Sequence, residues 1–156
     1  MKSICRTSIL ISTKNRKSDL AITLHKIEKL RNRNDVVCVV FDDGSTDGTY
    51  EFVQHHFPNV IIKRNKVSKG YLYCRNIMLN ETSTDYAISL DDDAYFLTEN
   101  PIEIMQHYFD QNSKCGVIAG RIFWNSDEPE NKHSNVKSFH YLRFIITIFI
   151  FRLITI

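Results

Sequence analysis

Apolar runs alternate with stretches of helical spacing through most of this chain, and that alternation restricts its fold more than any other feature. TSILIS (7–12), VVCVVF (36–41), NVIIK (59–63), YAISL (86–90) and CGVIAGRIF (115–123) read as strands. Apolar runs without polar alternation suit parallel strands covered on both faces. Between the first two, Leu20, Leu24, Ile27 and Leu30 share one helix face, with Ser18 as the N-cap. TYEFVQHHF (49–57) and YLYCRNIML (71–79) are the next helices. Asn100 caps another, with Pro101 at its first position and Glu103 at its third, ending near Gln111. A β-α-β-α-β-α-β-α-β order predicts an α/β class, Rossmann-like α/β/α sandwich around a mostly parallel sheet.

A length of 156 residues fits one hydrophobic core. The formal net charge of +2 gives no reason to expect nucleic acid as a partner. Cys5, Cys38, Cys74 and Cys115 form no C-x-x-C pair. Neither a zinc site nor a disulfide framework is implied, and a reducing cytosol is the expected compartment. The N-terminal apolar stretch is too short for a signal peptide. Residues 139–156, FHYLRFIITIFIFRLITI, are Phe-rich and β-branched, but Arg143 and Arg152 interrupt them. A spanning helix needs about 20 apolar residues, so a buried strand, or a tail left by truncation, is expected in preference to a membrane anchor. Residues 1–125 are assigned to one domain, and 126–156 to a polar loop, SDEPENKHSN, with the apolar tail.

Two of the strands end in acids: VVCVVF runs into Asp42-Asp43, and YAISL into Asp91-Asp92-Asp93. Ligands of open parallel sheets bind beyond the carboxyl ends of the strands. Two unit charges about 4 Å apart repel by roughly 1 kcal/mol in water and about 4 kcal/mol at an effective dielectric near 20. Three such neighbours call for a cation, and carboxylate oxygens suit Mg²⁺ or Mn²⁺, which also hold phosphates. With an extended backbone, Asp91 and Asp93 would point to one side and Asp92 to the other.

DDGSTDG (42–48) matches the first half of a calcium loop, but Gln54 stands where the bidentate Glu belongs, which excludes that reading. It reads instead as a tight strand-to-helix turn. Neither G-x-x-x-x-G-K nor G-x-G-x-x-G occurs, so a nucleotide would be held by side chains, carboxylates and a metal. The absence of G-x-S-x-G argues against a hydrolase with a nucleophile elbow.

ILISTKNR (9–16), VVFDDGSTDGT (39–49), SKGYLYCRN (68–76) and ISLDDDA (88–94), in that order, resemble the nucleotide-binding half of family-2 glycosyltransferases of the GT-A fold. The resemblance implies that Thr13, with Asn15 and Arg16 in the loop after it, lies against the nucleoside. Asp43 would hydrogen-bond the base, with Asp42 beside it, and Lys69, Gly70 and Arg75 would line the same wall. Asp91 and Asp92 would complete the nucleotide site, and Asp91 with Asp93, the D-x-D pair, would hold Mn²⁺ or Mg²⁺ on the diphosphate.

The implied reaction moves a sugar from a UDP-, GDP- or dTDP-sugar to a glycan or lipid-linked acceptor, with inversion. It implies a cytoplasmic protein, with peripheral contact at the inner face of the membrane. The family's general base lies well beyond the D-x-D, and the region after Asp93 shows no motif that matches it. The sheet is therefore expected to be incomplete on the C-terminal side, through truncation. The alternative expectation is a nucleotide-sugar-binding fragment without base or acceptor site.

Overall fold

The computed structural model describes residues 6–120 and 149–152. Its elements are β1 (Thr7–Thr13), α1 (Lys17–Lys26), α2 (Glu28–Arg31), β2 (Val36–Asp42), α3 (Thr49–His56), β3 (Val60–Arg64), α4 (Tyr71–Glu81), β4 (Tyr86–Asp91), α5 (Pro101–Gln111), β5 (Val117–Ala119) and β6 (Phe149–Arg152). The sheet order is β3-β2-β1-β4-β6-β5. The first four strands are parallel, while β6 runs antiparallel to both β4 and β5.

Every residue of β1 is buried, including the polar Thr7, Ser8, Ser12 and Thr13 at its two ends. Ile9 and Ile11 pack with Leu20, Leu24, Ile27, Val53, Phe57, Ile102 and Phe109, so they face α1, α2, α3 and α5. Leu10 packs with Phe41, Ala87, Cys74 and Met78, on the face covered by α4. Covered on both faces, the centre of the strand, Ile9-Leu10-Ile11, is apolar on both sides.

The first predicted helix is two pieces, α1 and α2, with Ile27 between them. Ser18 lies inside α1 rather than capping it. The Lys17 N–H is satisfied instead by the Asp47 carboxylate, at 3.2 Å, from the loop before α3. Asn100 does occupy the N-cap of α5, but its side chain makes no cap bond. Glu103 accepts from Arg33 at 2.5 Å rather than turning back on its own helix.

Among the described residues of CGVIAGRIF, Val117–Ala119 form β5, joined to the sheet through β6 rather than directly, and residues 121–123 lie outside the described residues. Within the apolar tail, β6 pairs with β4 from Tyr86↔Arg152 to Ser89↔Phe149. Cys5, the polar loop 126–135 and the remainder of the tail lie outside the described residues. No helix among the described residues is long and apolar enough to cross a membrane.

Candidate functional site

The strand order reverses direction at β1: β2 lies on one side of it and β4 on the other. Such a switch opens a crevice at the carboxyl ends of the strands. The two acidic strand ends are not direct neighbours, because β1 lies between them. Register brings them level nonetheless, with Thr13 beside Asp42 and Ser12 beside Asp91.

The Asp91–Asp93 segment bends immediately after β4, with Ala94 N–H donating to the Asp91 carbonyl at 3.2 Å. Asp91 faces α4 and ion-pairs with Arg75. Asp92 is buried on the opposite side, accepting from the Thr13 hydroxyl at 2.7 Å. Its backbone carbonyl accepts from the Thr23 hydroxyl at 3.0 Å.

Asp93 departs from the extended-strand expectation. Rather than joining Asp91, it shares Arg16 with Asp92: Arg16 Nη2 lies 2.7 Å from Asp93, and Nε 3.3 Å from Asp92. The bend, not strand alternation, sets its direction. Asp19, 3.1 Å from Arg16, completes this group.

Burial pushes the Asp92 carboxyl above its ordinary pKa, partly offset by the Thr13 hydroxyl and by Arg16. Burial lowers the Arg16 guanidinium, but Asp92, Asp93 and Asp19 outweigh it and leave it raised.

In DDGSTDG, Asp42 is fully buried; one oxygen accepts from Ser45 N–H at 2.8 Å, and the other lies 3.4 Å from Arg64 Nε. These contacts tie Asp42 into the turn. Asp43 is also buried, and both its oxygens are committed. Oδ1 accepts from Asn65 Nδ2 at 2.7 Å and Lys69 N–H at 2.8 Å. Oδ2 accepts from the Ser68 hydroxyl at 2.7 Å and Gly70 N–H at 2.8 Å. A carboxylate has about four lone-pair sites, so a base could bond to Asp43 only if one of these donors gave way.

Gly44 brings the turn against this loop: a Cβ there would stand 3.0 Å from the Ser68 nitrogen, and φ is +74°. Gly70, at φ +93°, adopts a backbone conformation that favours glycine, and it precedes α4.

The loop after β1 is stitched to the same turn. Asn15 donates its N–H to Ser45 Oγ at 2.9 Å and accepts from Thr46 N–H at 2.7 Å. The residues expected from sequence thus separate into two layers. Thr13, Asp42, Asp43 and Asp92 are buried supports. Asn15, Arg16, Lys69, Gly70 and Asp93 are exposed, and Arg75 and Asp91 are half-buried. Sequence reasoning gave no role to Thr23, Asn65 or Ser68, although Ser68 opens SKGYLYCRN; their roles rest on contacts distant along the chain.

Asp91 and Asp93 supply the hard oxygen ligands that Mg²⁺ or Mn²⁺ prefers. Their donor chemistry fits such an ion, although each is engaged by an arginine. Among the described residues, no three His, Cys, Asp or Glu side chains converge to hold a metal.

Residues 8–155 match the family described as glycosyl transferase family 2. The chain belongs to that family. This family-2 chain is 28% identical over 111 residues to an uncharacterized glycosyltransferase of Haemophilus influenzae, covering 71% of this chain and 37% of that protein. A solved mannosyltransferase, PcManGT from Pyrobaculum calidifontis in complex with GDP-Man and Mn²⁺, superposes with a TM-score of 0.62 at 19% identity. It matches 72% of this chain and 34% of its own length. S. aureus TarS 1–349 in complex with UDP-GlcNAc gives a TM-score of 0.59 at 20% identity, over 69% of this chain and 32% of that one. These likenesses bear out the GT-A-type α/β fold expected from the sequence. The family-2 chain spans about a third of the length of these relatives.

Proposed function

We propose that this family-2 chain binds a nucleotide-diphosphate sugar and serves its transfer, with inversion, to a glycan or lipid-linked acceptor. The observation that carries this reading is the placement of the Asp91–Asp93 turn at the β1–β4 switch, flanked by Arg16 and Arg75. Family membership supplies the chemistry: two neighbours were solved with nucleotide sugars, GDP-Man in one and UDP-GlcNAc in the other.

In this reading the nucleoside lies over the loop after β1, the DDGSTDG turn and the 65–70 loop. Asn15 fixes the first two against each other. Asp43 acts from behind by holding Lys69 and Gly70 in place, and contacts the base directly once a donor moves aside. Arg16 and Arg75 reach the diphosphate, for which their planar forks are suited. Asp91 and Asp93 would hold Mn²⁺ or Mg²⁺, whose charge eases departure of the diphosphate. Asp92, pinned by Thr13, keeps the turn bent. The general base that accepts the acceptor's proton is unassigned.

The protein would work in the cytoplasm, at the inner face of the membrane where the acceptor is lipid-linked. Calorimetric titration with UDP, GDP and dTDP, with and without Mn²⁺, tests the reading. Binding of at least one nucleotide, tightened by Mn²⁺, is the expected result; no binding of any would refute it. Sugar transfer or donor hydrolysis then separates an active chain from one that binds without transfer.

A further inference from the structure

The acidic turn carries its own counter-charges, delivered from opposite sides of the sheet. Arg16, from the loop between β1 and α1, bridges Asp92 and Asp93. Arg75, on α4, pairs with Asp91. Counting Asp19, which also pairs with Arg16, four aspartates share two guanidinium groups, and the two arginines tie the turn to both sides of the sheet.

We propose that Arg16 and Arg75 act as exchangeable counterions: they hold the turn while the site is empty and pass to the donor's diphosphate when it binds. That exchange would release Asp93 and Asp91 for the divalent cation. The second half rests on the nucleotide-sugar reading; the first concerns only this chain's own residues.

Three features favour exchange over a permanent brace. Arg16 is substantially exposed, so it can change partners without unpacking the core. Arg75 has a donor to spare, because its Nε has no hydrogen-bond partner among the described residues. A phosphate can take two parallel N–H bonds from one guanidinium. Asp92, in contrast, keeps the Thr13 hydroxyl when Arg16 leaves, so the bend survives the exchange.

A cation alone must compete with both arginines for the same oxygens. A diphosphate removes that competition by drawing the arginines away. Cation and nucleotide should therefore each strengthen the other's binding, by equal factors.

The test uses the 156-residue chain and the variants Arg16→Gln and Arg75→Gln, with folding checked by circular dichroism. Free Mn²⁺ is followed by electron paramagnetic resonance without nucleotide, and GDP and UDP binding is measured at saturating Mn²⁺. Each substitution should tighten binding of Mn²⁺ alone by about tenfold while weakening nucleotide binding. A merely structural arginine would not move the two affinities in opposite directions. Mn²⁺ binding that is unchanged or weaker in a folded variant overturns the proposal.

If either variant fails to fold, the guanidinium Nε–H resonances of the unaltered chain are recorded with saturating Mg²⁺ and the nucleotide. Movement of both resonances supports the exchange, and stationary resonances overturn it. If no nucleotide binds at all, the proposed function fails, whereas the Mn²⁺-alone measurement still decides the counterion role.

Discussion

Asp43→Asn changes neither the size nor the shape of its side chain, yet it should be among the costlier substitutions in the molecule. The carboxylate accepts four hydrogen bonds, two at each oxygen, from Asn65, Ser68, Lys69 and Gly70. An asparagine must turn its NH₂ toward one of the two pairs. Facing Ser68 and Gly70 is less damaging, because the serine hydroxyl can rotate to accept. The Gly70 N–H is then left opposite a donor.

Hydrogen bonds to a charged group contribute about 1.5–3 kcal/mol, and a stranded buried donor costs about 1–3 kcal/mol. With partial relaxation of the loop, the net loss should be about 2–4 kcal/mol. Urea unfolding at pH 7, followed by circular dichroism, measures it.

The pH dependence supplies a second check. Burial pushes the Asp43 carboxyl up, but the Lys69 N–H, Ser68, Asn65 and the Gly70 N–H outweigh it, holding the group well below the usual carboxylate range. A depressed folded-state pKa stabilises the protein above the unfolded value, about 3.9 for Asp. That contribution fades as the pH falls below about 4 toward the folded value. The gap between the unaltered chain and Asp43→Asn should therefore be constant from about pH 5 to 8 and shrink below about pH 4. A gap under about 0.5 kcal/mol at pH 7 would refute the reasoning, and would mean that the donors find other partners at no cost.

Asp92→Asn should behave oppositely. Burial raises the carboxyl's pKa, so its charge costs stability above the unfolded pKa, and an amide can still accept from Thr13. Thermal unfolding should place that variant within about 1 kcal/mol of the unaltered protein. Gly44→Ala combines φ of +74° with a Cβ 3.0 Å from the Ser68 nitrogen, and should lose about 2 kcal/mol in the same assay. Phe109→Ala removes a fully buried ring stacked on Tyr86 at 5.6 Å, with a loss of about 3–5 kcal/mol in urea unfolding. Asp91→Ala should abolish the Mn²⁺ dependence of nucleotide binding in calorimetry, and an unchanged dependence would remove Asp91 from the site.

The parallel sheet was legible because burial on both faces leaves a mark within the strands: VVCVVF is apolar throughout, YAISL is interrupted by Ser89 alone, and both lie beside β1. Convergence of the acidic ends followed from the same pattern, since parallel strands carry their carboxyl ends to one side. What escaped the sequence depended on contacts between distant segments. Ser18 matched the local signal for an N-cap, but Asp47, thirty residues away, satisfies the Lys17 N–H. Glu103 had the spacing of a capping box, and Arg33 claims it from another element. Asp93 was assigned to the wrong side because alternation holds only while the chain stays extended, and it bends at this point. Asn65 lay in a loop that suggested nothing, and Ser68, although it opens SKGYLYCRN, had no role until the fold brought Asp43 against them.

The antiparallel strand wedged between β4 and β5 has a consequence for how the molecule is made. Among the described residues, β6 is the strand that pairs the outer edge of β4, so during synthesis that pairing waits until Phe149–Arg152 leave the ribosome. Among the described residues β5 joins the sheet through that latecomer, so its place in the sheet waits for the same four residues. A nascent chain stalled before position 149 would thus present a sticky, half-finished edge, the kind of surface on which chains pair with one another.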